Sequence, residues 1–164
     1  MRASRSSFVV SIALLVAALL GPPERTAAAP TQPTPLAVIV GASSRVQELS
    51  HALVRRIFLG EQAAADGVTF VPFNYAPSDP LRIAFDLAAL GFSPDAAGRY
   101  WVDRRIRGQG LPPRTVPSAT LLRAVIARLP GAIGYLPPSM LTPEVRAVRI
   151  DGLPHDDPDY PLAD

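Results

Sequence analysis

Leu36-Ala37-Val38-Ile39-Val40 is an unbroken apolar run set between Pro35 and Gly41. It is too short for an amphipathic helix, and it has no polar residue to turn toward water. Such a run fits a strand buried on both faces. A strand of that kind commits the chain to a sheet with other layers packed on either side, so the question becomes which segments provide them.

The segments that follow alternate between the two periods. Gly41-Ala42-Ser43-Ser44 is a small-residue turn after the strand. Ser50 is placed to cap a helix over 51–59, with Leu53, Val54, Ile57 and Phe58 on one face, Arg55 and Arg56 on the other, and Gly60 to end it. Asp66-Gly67 marks a turn, and 68–73 reads as a second strand. Ser78 or Asp79 caps the next helix, with Pro80 in its first turn, where a missing N–H does no harm, and Gly91 at its end. Ser93-Pro94 repeats that start for a helix through Arg104, which is expected to bring Ala97, Tyr100, Trp101 and Val102 near the core. A Gly- and Pro-rich loop over 107–117 leads to Ser118, the cap of a helix whose Leu122, Val125, Ile126 and Leu129 recur at helical spacing. Pro130-Gly131 ends that helix. Strands are expected over 132–136 and, more weakly, over 145–150. Strand, helix, strand, three helices and two strands predict an α/β domain: a single three-layer lobe with a small, mostly parallel sheet.

The ends are read differently. Arg2 and Arg5 precede an apolar run over 8–20, helix-breaking Gly21-Pro22-Pro23, and Ala27-Ala28-Ala29. This is the pattern of a secretory signal over 1–29, cleaved near Ala29, and it implies a periplasmic or secreted protein that meets the membrane only through that signal. The competing reading, an uncleaved anchor, needs a longer apolar core than this one. Residues 30–35 form a Pro-rich, extended leader, and 36–150 the folded domain. From 151 to 164 the chain is acidic and interrupted by Pro, so a flexible tail is expected.

Composition removes several chemistries. The chain has no Cys, and all 16 of its basic residues are Arg, so disulfides, thiolate metal sites, Cys nucleophiles, Schiff bases and Walker-type lysines are excluded. Beyond residue 29 there are 13 Arg and 13 acidic residues. A near-neutral domain lacks the cation surplus that nucleic acid requires. No GxSxG, HExxH, P-loop or GxGxxG sequence occurs. His51, at a helix start, has no triad partners in view. His155-Asp156-Asp157 with Asp159 offers cation ligand types, but in a segment that reads as a solvated acidic end. No catalytic residue, metal site or cofactor is expected.

Three segments carry a resemblance. Leu49 to Gly60 (LSHALVRRIFLG), Val71 to Phe85 (VPFNYAPSDPLRIAF) and Pro130 to Leu136 (PGAIGYL) resemble the phosphate-binding proteins of ABC transporters, in the same order. The likeness extends over about 36–150. In that family a two-lobed periplasmic protein closes on an oxyanion held between its lobes, and all three segments belong to the second lobe. The resemblance therefore implies a single-lobe relative with phosphate or another oxyanion as its ligand.

The family's second lobe grips the anion with a segment of the type Arg-Ser-Asp-Gly-Ser-Gly-Thr that leads into a helix. Aligned through Ala84 and Phe85, its Arg falls on Tyr75, its second Ser on Asp79, the following Gly on Pro80 and its Thr on Leu81. Asp79 would put a carboxylate where the anion is expected, and Pro80 removes a backbone donor. Ser78 keeps a hydroxyl, and Arg82 stays near. These residues, Tyr75, Ser78, Asp79 and Arg82, are the candidate ligand site in a degenerate form; equally, Ser78, Asp79 and Pro80 are simply a helix start. Ser43 and Ser44, beyond a strand end, are further candidates, because ligands of α/β sheets favour that position. Turn geometry also explains them. Arg99, Arg104, Arg105, Arg107 and Arg114 flank the 107–117 loop, as a solvated face or as an attraction for an acidic partner. Two functional readings result: an exported solute-binding-like domain for an oxyanion, or an envelope interaction module that meets a partner protein or a second copy of itself.

Overall fold

The computed structural model describes residues 34–163; the signal expected over 1–29 and the first part of the leader lie outside the described residues. In chain order the elements are β1 (Ala37–Gly41), β2 (Glu48–Leu49), α1 (His51–Phe58), β3 (Ala64–Ala65), β4 (Val68–Thr69), β5 (Val71–Asn74), α2 (Pro80–Leu90), α3 (Pro94–Ile106), β6 (Arg114–Thr115), α4 (Ala119–Arg128), β7 (Ala132–Leu136), β8 (Val145–Ala147) and β9 (Arg149–Ile150).

Five strands form the central sheet in the order β6-β5-β7-β1-β8. β5 runs parallel to both β6 and β7, whereas β1 is antiparallel to both β7 and β8. Four of the five strands thus share one direction, and β1 alone is reversed. The apolar run that β1 was read from is buried throughout, with Val38 and Ile39 fully inaccessible.

The pleat sorts the layers. At Gly134 a side chain would collide with Ile126 Cδ1 and Leu122 Cδ1, at 2.7 and 2.9 Å, so α4 lies directly on that face. The next residue points the other way. Tyr135 meets Phe58 of α1 edge-on and stacks flat on Phe85 of α2 at 3.8 Å. Helices therefore cover both faces, in the three layers expected.

The helix starts follow the capping chemistry of the sequence. The side chains of Ser50, Asp79, Ser93 and Ser118 accept from the N–H groups of Leu53, Leu81, Ala96 and Leu121, at 3.1, 2.8, 3.3 and 3.2 Å. Gly91 closes α2 in the left-handed region at φ 66°.

Three expectations need correction. The strand expected over 145–150 is broken at Val148: β8 joins the central sheet, and β9 pairs in parallel with β2. Val102 points outward at 60% exposure, because α3 packs through the face that carries Ala97, Tyr100 and Trp101. The acidic end is not loose over 151–163. Leu36 N–H donates to Leu162 O, and the Tyr160 hydroxyl accepts from Val38 N–H and donates to Val148 O. Tyr160 and Leu162 are 2% and 1% exposed, and this burial outweighs the polar composition around them.

Candidate functional site

The six candidate residues fall at opposite ends of the sheet. β5 delivers Tyr75, Ser78, Asp79 and Arg82 beyond its carboxyl end, level with Leu136. β1 is reversed, and Gly41 lies beside Val40, the partner of Ile133, so Ser43 and Ser44 emerge at the pole where β5 and β7 begin. An apolar run carries no information about strand direction, which is why the sequence could not separate the two groups.

At the first pole the sequence folds its donors inward. The Asp79 carboxylate holds Leu81 N–H, and Pro80 contributes none, so the positive end of α2 is already occupied by the chain's own carboxylate. Arg82 turns back along the helix and donates from Nε to Asp86 Oδ2 at 2.6 Å, with the two residues 6% and 4% exposed. Tyr75 is buried and donates its hydroxyl to Tyr135 O at 3.1 Å. Tyr135 in turn donates its hydroxyl to Asn74 Oδ1, which also accepts Tyr75 N–H. Of the four candidates here, only Ser78 is exposed and Asp79 partly so.

A polar cluster in the core results: Asn74, Tyr75, Arg82, Asp86 and Tyr135. Burial pushes the Asp86 carboxyl above its ordinary range, against the pull of the Arg82 charge beside it. Burial also raises Tyr75 and Tyr135 well above an ordinary phenol. Asn74 Nδ2 and Asp86 Oδ1 are buried with no partner among the described residues. Sequence reasoning missed Asn74, Asp86 and Tyr135. The four-residue spacing of Arg82 and Asp86 was the available signal for one of them.

At the second pole, Ser43 and Ser44 line a cleft of about 450 Å³. Its walls are the turn after β1 and the β3–β4 hairpin, and its floor is the end of α4 with Pro130 and Gly131. In the Arg-rich region, Arg104 donates to Gln109 O and to the Tyr100 hydroxyl, and Arg107 pairs with Asp103 at 3.0 Å. Among the described residues no three His, Asp or Glu side chains are grouped to hold a metal ion. No described helix is long and apolar enough to cross a membrane.

No known protein family and no curated protein sequence matches the chain. Solved structures do. One is a phosphate ABC transporter substrate-binding protein from Clostridium perfringens with bound phosphate, at 17% identity and a TM-score of 0.60, covering 74% of this chain and 47% of that one. A second is an ABC-type phosphate transport receptor from Vibrio cholerae, at 14% identity and a TM-score of 0.62, covering 79% and 53%. A third is PstS from Borrelia burgdorferi, at 12% identity and a TM-score of 0.59, covering 79% and 54%. The chain spans about half the length of each. Its fold is that of roughly half of a phosphate-transport binding protein.

Proposed function

We propose that the chain is an exported domain of solute-binding fold whose oxyanion grip has been turned inward, and that it acts through its surface as an interaction or accessory module of the envelope. The observation that carries this reading is the commitment of the donors at the α2 terminus. Asp79 takes the Leu81 N–H, Pro80 offers none, and the Arg82 guanidinium is held by Asp86 in the core. A phosphate at that terminus would meet the Asp79 carboxylate and would have to draw Arg82 out of a buried pair, which leaves an unpaired charge behind. The expected signal over 1–29 supports placement beyond the cytoplasmic membrane.

A second reading, capture of phosphate or another oxyanion, is supported by the shared fold and by the phosphate bound in the Clostridium structure. Isothermal titration with phosphate, sulfate and arsenate separates the two. The first reading expects flat titrations at millimolar anion in wild type. It also expects heat to stay absent in D79S, where the competing carboxylate is gone but Pro80 and the Arg82 pair remain. A saturable phosphate isotherm for the wild-type protein would establish the second reading instead.

A further inference from the structure

We propose that the cleft at the pole opposite α2 binds a small zwitterion with an apolar body, the chemistry of an α-amino acid. The cleft is bipolar by construction. Its floor is the carbonyl end of α4. Val125 O accepts Leu129 N–H at 2.9 Å, but the residue four beyond Ile126 is Pro130, which has no N–H to give. The Ile126 carbonyl is thus without its helical partner, and the partial negative charge of a helix end gathers there. Gly41 lies over that floor. A Cβ on it would stand 2.8 Å from Ile126 O, so only a residue without a side chain lets β1 and the carbonyls share the space.

The walls carry full charges of both signs. Arg45 stands on the turn after β1, Arg128 on the last turn of α4, and Asp66 on the facing hairpin at a left-handed φ of 51°. Among the described residues the ion pairs are Arg56–Glu61, Arg82–Asp86 and Arg107–Asp103, and none of these three cleft residues takes part. Two cations and an anion thus face one cleft without neutralising one another. A ligand carboxylate satisfies Arg45 and the Ser43 hydroxyl. An ammonium satisfies Asp66 and the α4 carbonyls. Val68 and Leu129 offer apolar surface between them. A volume near 450 Å³ lies in the range of small-molecule sites. A simple anion would leave the carbonyl floor and Asp66 opposed to it, and a simple amine would leave Arg45 unused.

Calorimetric titration of the purified protein with L-leucine, isocaproate and isoamylamine tests this, because the last two each keep one charge of the first. Leucine is expected to bind at least about 10-fold tighter than either half-ligand, since both poles then contribute. R45Q, an exposed change that should leave thermal unfolding where it was, is expected to weaken leucine about 10-fold while isoamylamine is unaffected. D66N should weaken leucine and isoamylamine together. No heat from any of the three compounds overturns the proposal, as does leucine matched by either half-ligand or an R45Q protein that binds leucine like wild type. The outcome is independent of any phosphate response, which concerns the other pole.

Discussion

Arg82 stands in the first turn of α2, where its charge opposes the positive end of the helix dipole by about 0.3–1 kcal/mol, so its position has to be stabilised by something else. Asp86, one turn on, supplies the compensation, and both are withdrawn from water. Pairs of this kind are held together more by the penalty of separating them than by their net attraction. R82L or D86L alone is therefore expected to destabilise the domain by about 3–5 kcal/mol, while the R82L/D86L double variant should lose far less than either single change or nothing. Urea unfolding of the three variants measures this; additive losses would mean that the pair is not the unit it looks to be. The raised Asp86 pKa has its own sign. The folded form holds that proton more tightly than the unfolded chain does, so the stability linked to this proton is complete below the ordinary value of 3.8 and is lost as pH rises through the raised one.

Among the elements, α4 and β7 meet without a side chain between them. Leu122 and Ile126 place their terminal carbons where a Gly134 side chain would begin, so helix and strand meet across a residue with no side chain to separate them. G134V should force the two apart and cost about 1–3 kcal/mol, read as a lower urea midpoint with an unchanged slope. A wild-type midpoint would show that α4 yields freely. This packing was legible beforehand: the spacing of Leu122 and Ile126, the Pro130-Gly131 stop and the apolar run at 132–136 each speak locally, as do the four capping side chains. The topology was not, because it rests on pairings distant in sequence. Asn74 looks like the polar end of a strand until Tyr135, 61 residues later, donates to it. The reversal of β1 is set by β7 and β8, and it alone moved Ser43 and Ser44 away from the helix terminus they were grouped with. Arg82 was legible as a cation near that terminus, but the direction of its side chain depends on a carboxylate whose burial no local pattern shows.

Across the described residues, the segment beyond 151 closes on the strand that follows Leu36. Tyr160 reaches back to Val38 and Val148 and ties residues beyond 151 to β1, while Tyr75 and Tyr135 sit in the polar cluster on the α1–α2 side of the sheet. Burial raises all three phenols above the ordinary value of 10.0, Tyr160 to about 12. The unfolded chain releases these protons near pH 10 and the folded one does not, so their stabilisation is fully present below pH 10 and falls as pH rises above it. Alkaline unfolding should accordingly be a cooperative step above pH 10, in which tyrosinate absorbance and the loss of circular dichroism change together. Y160F removes one of the three linked ionisations and should make the step less steep in pH, while also loosening the tie to Val38 and Val148. If instead all the tyrosines ionise near pH 10 with the fold intact, these hydroxyls are open to water and the closure of the domain by its last residues is wrong.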